Sequence, residues 1–468
     1  MQSSFDIVTI GGGPGGYVCA IRARQLGLNV AIVEREKVGG VCLNRGCIPT
    51  KALLSDVQGI HWTHRATKDG IIDHPALVDF SALMRRKSSV VDGIVSNLEK
   101  HLCALNITII HGKGQIKDPE TVLTDSGETI KSKNIILATG SRPWRPPIPG
   151  IDSPGIIGTR EALELTELPK RLAIIGGGVV GQEFAAIFAG FGSQVTVLEV
   201  LDQILVGVDK ELAKKYASFL PGKGVTAELG AKIHIIEQKD SGLRITYERK
   251  GKEKTVEADL ILVATGRRPW VQSCGADKMG IISENHSISV DPHLQTPVKG
   301  VYAIGDVLGR HMLAHLASYH GEVAAENIAG RQRIAEDDLV PSCVFTIPQI
   351  AWVGLTEEQA EVSNVPFRTS TFALWSSGKA VAMGEPKGWM KLIENSESKR
   401  LIGAHFMGPD VSELIGMMTL AMSSGMSASD FSETIFPHPT ISEAVREAAL
   451  GLLDGPIHAA PRVRSSRN

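Results

Sequence analysis

No stretch of this chain approaches the ~18 consecutive apolar residues of a membrane span. Charge of one sign is also missing. The 49 basic and 51 acidic residues leave a net charge of -2, too little positive charge for nucleic acid to be the main partner. Cysteine is sparse, six in 468 residues. Cys19, Cys103, Cys274 and Cys343 are scattered without ligand spacing, so the remaining pair has no second pair with which to complete a zinc site. The first strand signal, Phe5 to Ile10, begins almost at Met1 and leaves no room for a leader, which gives the expectation of a cytoplasmic protein. In that reducing compartment a disulfide is more readily catalytic than structural. The basic tail Pro461 to Asn468 reads as a solvated, mobile end.

What is present starts with Cys42 and Cys47, five residues apart in Gly39-Gly40-Val41-Cys42-Leu43-Asn44-Arg45-Gly46-Cys47-Ile48-Pro49-Thr50-Lys51. By spacing alone such a pair serves as a structural bridge, half a metal site or a redox couple. Its placement after a glycine-rich loop, at what reads as a helix start, favours the last. A helix N-terminus stabilises negative charge and so favours the reactive thiolate.

At 468 residues the chain implies roughly three or four domains. Its organisation is a duplication. A strand runs into Gly11-Gly12-Gly13-Pro14-Gly15-Gly16, a helix follows, and a second strand ends at Glu34. That is a dinucleotide-binding turn with an acid placed for ribose hydroxyls. The pattern recurs at Gly176-Gly177-Gly178-Val179-Val180-Gly181 and Glu199, and in both copies the acid lies 18 residues after the last glycine. Each copy then reaches an apolar strand closing in Ala-Thr-Gly, Ala138-Thr139-Gly140 before Ser141-Arg142-Pro143 and Ala264-Thr265-Gly266 before Arg267-Arg268-Pro269. Gly11 to Gly140 spans 129 residues and Gly176 to Gly266 spans 90, so copy one is longer by 39, in the part that holds the cysteines. Two dinucleotide sites and a dithiol suggest an electron relay with a flavin as the tightly held member. Farther on, Asp306 ends a strand as Gly-Asp before a helix, either to grip a ribityl hydroxyl or to cap that helix.

These residues resemble the flavin-dependent disulfide reductases, and within them the dihydrolipoamide dehydrogenase branch, from Phe5 to about Leu453. The marks are residues 39 to 51, the paired glycine turns, Ala303-Ile304-Gly305-Asp306, Met312-Leu313-Ala314-His315 and His438-Pro439-Thr440-Ile441-Ser442-Glu443. The resemblance implies an α/β chain with two Rossmann-like units and a C-terminal α+β dimerisation domain. Its limits would be an FAD unit over 1–145 and 272–340, an NAD unit over 146–271 and an interface unit over 341–468. It implies a homodimer in which His438 and Glu443 enter the partner's site, and a lipoylated carrier as substrate. Cys42 would then exchange with the dithiol and Cys47 would lie nearer the flavin. Lys51 would sit beside the flavin edge, paired with Glu183. FAD contacts would come from Gly11, Gly13, Pro14, Gly15, Gly16, Glu34, Gly40, Val41, Gly114, Ala138, Thr139, Gly140, Asp306 and Met312 to His315. NAD contacts would come from Gly176, Gly178, Val179, Val180, Gly181, Glu199 and Gly266. A carboxylate at Glu199, with no Arg or Lys before Lys210, favours NAD over NADP.

Glutathione reductase typically has arginines there. Mercuric reductase and the large thioredoxin reductases carry cysteines near the C-terminus, and none follows Cys343. Leu316, His320 and Gln349 stand where the branch commonly has lysine, glutamate and glutamate, and Phe436-Pro437 replaces His-Ala. A scaffold subunit that only docks would have lost a cysteine, the histidine or the NAD acid. All are present, which makes the chain an enzyme.

Overall fold

The computed structural model describes residues 4–75, 77–272 and 274–459, and the backbone of 463–465. Strand Ser4–Ile10 lies between Val30–Glu34 and Thr129–Leu137, parallel to both. Thr108–His111 flanks Val30–Glu34, and Val301–Ala303 adds to Thr129–Leu137, again in parallel. Two antiparallel strands, Thr121–Thr124 and Gly114–Asp118, complete seven. The second sheet repeats the arrangement, in the order Val225–Leu229, Gln194–Glu199, Arg171–Ile175, Leu260–Val263, Ile156–Ile157, all parallel. Near-continuous Val, Ile and Leu runs suit strands covered on both faces. Ile7, Val8, Ile32, Ile135 and Ile136 are fully buried, as are Ile174, Val197 and Ile261.

The turn after each first strand demands glycine. Gly11 has φ 109°, and a Cβ there would lie 2.3 Å from the carbonyl oxygen of Ala138. Glu34 then fixes the loop, its Oε2 accepting from Gly12 N at 2.7 Å, and Glu199 does the same for Gly177 N at 2.6 Å. The extra length of copy one forms two long helices, Cys47–Lys68 and Phe80–Ala104, where copy two has the ten-residue Lys210–Phe219. The triplets 141–143 and 267–269 pair with each other as a two-stranded link between the copies.

A six-stranded antiparallel sheet makes the third unit, from Ser342–Val344 through Leu401–Gly408 and Phe367–Ala373 to Val463–Ser465. Val463–Ser465 pairs antiparallel with Phe367–Ala373, which corrects the reading of a mobile tail for those three residues. The remainder of that tail lies outside the described residues. Among the described residues no helix is long and apolar enough to cross a membrane.

The third unit is pinned to the second by a buried ion pair. Lys391, 2% exposed, donates to Asp209 at 2.6 Å and lies 2.7 Å from Glu357. Asp209 also caps the helix Lys210–Phe219 through Leu212 N. Burial pushes the Asp209 carboxyl up, but Lys391 and the helix N–H outweigh it and hold its pKa below the ordinary range. Lys391→Met strands that carboxylate in a dry site, which costs about 3–5 kcal/mol. A thermal melt of the variant should show a clear drop in midpoint. An unchanged midpoint would remove the pair from the stabilising interactions.

Candidate active site

The redox pair straddles a chain break. Cys42 sits within the short helix Gly40–Arg45, Gly46 interrupts with φ -143° and ψ -109°, and Cys47 is the first residue of Cys47–Lys68. The sequence placed both thiols at one helix start. The structure gives each its own, Cys42 in the first turn of Gly40–Arg45 and Cys47 at the head of the next helix, because Gly46 turns the chain between them. Both are half-buried free thiols, joined by a hydrogen bond. Donation from Cys42 is the largest effect on Cys47. With the positive charge of Lys51 it overcomes burial and lowers the Cys47 pKa to about 7. The same bond, then burial, then the negative charge of Cys47 push Cys42 up. The pair therefore holds one proton near neutrality, carried by Cys42.

Lys51 lies one turn after Cys47 on the same helix. Its ammonium donates to both carboxylate oxygens of Glu183, at 2.9 and 2.8 Å. Glu183 comes from the glycine-turn helix of copy two, Val179–Phe191, and also accepts from Phe345 N at 3.0 Å. The ring of Phe345 lies 4.5 Å from the ammonium. Thiol helix, second dinucleotide unit and third unit meet at this lysine.

The thiols open onto a cavity of about 920 Å³ that reaches from Glu34 to Phe345. Gly11, Gly13, Pro14, Gly15, Gly40 and Val41 line it on the turn side, with Gly114, Ala138, Thr139 and Gly140 beside them. Asp306 and Met312 to His315 close the far wall, and Val179, Val180, Glu183 and Gly266 reach it from copy two. Gly16 is not on its surface. A Cβ there would lie 1.9 Å from the oxygen of Gly11, so Gly16 serves close packing of helix on strand. Gly176, Gly178, Gly181 and Glu199 lie outside this cavity, at the turn of the second unit.

The residues fit a flavin dinucleotide. The helix Pro14–Gln25 begins with no side-chain cap and no acid in its first turn, leaving its N–H groups free for a pyrophosphate. A Cβ on Gly40 would meet Gly13 Cα at 2.6 Å, so backbone alone lines that narrow passage. Asp306 lies in a 3₁₀ turn, Gly305–Leu308, rather than ahead of an α-helix, and caps nothing. Its Oδ2 accepts from Ser141 Oγ at 2.5 Å, and Ser141 Oγ accepts from Arg267 Nε at 2.7 Å. Ser141 and Arg267 were not singled out as site residues, although their repeated triplets were visible. Phe345 and Cys343 also line the cavity, and no local signal marked them.

His438 and Glu443 stand apart from this cavity. His438 Nδ1 is 2.9 Å from Glu443 Oε1, while 79% of the imidazole side chain is exposed. Burial raises the Glu443 pKa, but Thr440 N–H and His438 together bring it below the ordinary value. Phe436, before the histidine, stacks on Phe431 with centroids 6.3 Å apart.

Residues 5–321 match the family described as pyridine nucleotide-disulphide oxidoreductase, and residues 340–449 match its dimerisation domain. The chain belongs to this family. Its relatives include dihydrolipoyl dehydrogenases of Chlamydia pneumoniae, 39% identical over 99% of this chain and 100% of that one, and of Geobacillus stearothermophilus, 39% identical over 97% of each. Among solved structures, the HOCl-induced flavoprotein disulfide reductase RclA of Escherichia coli superposes with TM-score 0.86 at 30% identity, covering 95% of this chain and 99% of that one. As a member of the family the chain is an oxidoreductase that uses FAD and NAD, and it carries the family's dimerisation domain.

Proposed function

We propose that the protein is a dihydrolipoyl dehydrogenase, oxidising a protein-bound dihydrolipoyl group and reducing NAD⁺. The observation that carries this reading is a thiol pair, Cys42 and Cys47, on the wall of a dinucleotide cavity beside Lys51, in a chain whose relatives of that name match it end to end.

In the resting enzyme Cys42 and Cys47 form a disulfide. His438 takes a proton from the substrate dithiol, and the thiolate attacks Cys42 Sγ, breaking the Cys42–Cys47 bond and releasing the Cys47 thiolate. The second substrate thiol, deprotonated in turn, attacks the substrate sulfur of the mixed disulfide, breaking its bond to Cys42 and releasing Cys42 as a thiolate that takes up a proton. Lipoyl disulfide leaves and the enzyme keeps two electrons as its dithiol. FAD, when bound, supplies a carrier that exchanges two electrons with thiols on one side and with NAD⁺ on the other. Gly11 to Gly15, Glu34 and Asp306 would hold it, and the lowered pKa of Cys47 keeps a thiolate present near pH 7. Lys51, fixed by Glu183, places a positive charge beside that thiolate.

The FAD unit covers 1–145 and 272–340, the NAD unit 146–271 and the interface unit 341–468. In a homodimer with shared sites, the exposed His438 would face the partner's thiols; Ile435, 95% exposed nearby, supports burial of this edge. The lipoylated carrier would belong to a 2-oxo acid dehydrogenase complex, the glycine cleavage system or another lipoyl protein. The reducing cytoplasm suits a pair that must cycle.

The test is dihydrolipoamide oxidation with each nucleotide. Glu199 at the end of Gln194–Glu199 repels a 2′-phosphate, so kcat/KM with NAD⁺ should exceed that with NADP⁺ by at least about tenfold, roughly 1.4 kcal/mol. No turnover of dihydrolipoamide with either nucleotide would refute the assigned activity, and equal values would refute the role of Glu199.

A further inference from the structure

His320 is fully buried on the helix Ala314–Ile328, and none of the chemistry above uses it. Its ring joins the wall of the flavin cavity to a charged pair. Gly305 N–H donates to Nδ1 at 3.3 Å, which leaves the proton on Nε2, 2.8 Å from Asp337 Oδ1. Asp337 in turn accepts from Arg310 at 2.6 Å. Gly305 has φ 72° and precedes Asp306, and both line the cavity.

We propose that His320 is a positioning residue for the flavin: through the Gly305 N–H it sets the backbone that aims Asp306 into the cavity, and it does so only while its ring is neutral. This rests on the reading that the cavity holds FAD. A protonated ring carries hydrogen on both nitrogens, so Nδ1 can no longer accept and Gly305 loses its partner in a buried site.

The surrounding charges agree. Burial lowers the His320 pKa below its ordinary value, and Arg310 adds to this, against the opposing pull of Asp337. Asp306 lies on the other side of Gly305. The helix Pro14–Gln25, packed along Ala314–Ile328, brings Cys19, whose pKa burial pushes up to about 12, and Arg22, which is engaged by Glu326. Because the folded pKa is depressed, the ring is still neutral and the hydrogen bond intact at the ordinary histidine value, and the bond is lost only as pH falls further, through the lower folded value.

Release of FAD from the holoenzyme, followed by flavin fluorescence after dilution between about pH 5 and pH 8, tests this. Wild type should hold its release rate down through about pH 6.5 and release FAD faster only at lower pH, toward pH 5. His320→Gln keeps an acceptor for Gly305 and a donor for Asp337 but does not titrate, so its release should match wild type at pH 8 and stay flat toward pH 5. His320→Leu should release FAD about tenfold faster at every pH, the effect of one lost hydrogen bond. A His320→Gln profile that rises with acid as wild type does would overturn the proposal, as would wild-type retention by His320→Leu. Wild-type protein that binds no FAD would instead overturn the functional reading itself.

Discussion

Cys42→Ser leaves FAD bound and lowers dihydrolipoamide oxidation by at least about 10³-fold, the scale on which loss of an attacked nucleophilic centre is felt. The serine oxygen can neither close a disulfide nor be attacked by a substrate thiolate, so no electrons enter the enzyme. Its hydroxyl still donates to Cys47. Cys42→Ala removes that donor, and the pKa of Cys47, held at about 7 chiefly by it, should rise toward the ordinary thiol range. The rate of Cys47 alkylation against pH reads this directly. The Ser variant should keep a step near neutrality and the Ala variant should move it up. Normal turnover by Cys42→Ser would remove the dithiol from the mechanism. An unmoved step in Cys42→Ala would show that Lys51 and the helix N-terminus, rather than Cys42, set the thiolate.

Much of this was legible in the residues because the decisive signals are local. Glycine turns, an acid 18 residues on and apolar runs of strand length recur twice, and four parallel strands in each of the two sheets repeat one order. The thiol pair needs only its own loop. Contacts between distant segments carry no period, and of them only Lys51 with Glu183 is expected, through the family resemblance. Lys391 and Asp209 meet across 182 positions, His320 and Asp337 are joined only when a loop folds back on a helix, and Phe345 reaches Lys51 from the third unit. Two local errors have local causes. Gly46 ends one helix and starts another where a single helix was read, and Asp306 falls in a 3₁₀ turn because Gly309, at φ 69°, closes it before any α-helix can form.

The last expectation concerns a residue the fold leaves outside its own cavity. His438, oriented by Glu443 at 2.9 Å and largely exposed, does not line its own subunit's cavity. As an acid-base group in trans it should be worth about 10² to 10⁴ in rate, so His438→Gln should slow dihydrolipoamide oxidation by that factor with FAD still bound. A mixed dimer of one Cys42→Ser subunit and one His438→Gln subunit separates the geometries. With shared sites, one site pairs both lesions and the other pairs neither, and about half of wild-type activity returns. With sites contained in single subunits, each site carries one lesion and nothing returns. Verified heterodimers without recovered activity would therefore place His438 in its own subunit's chemistry, and the exposed imidazole would need another explanation.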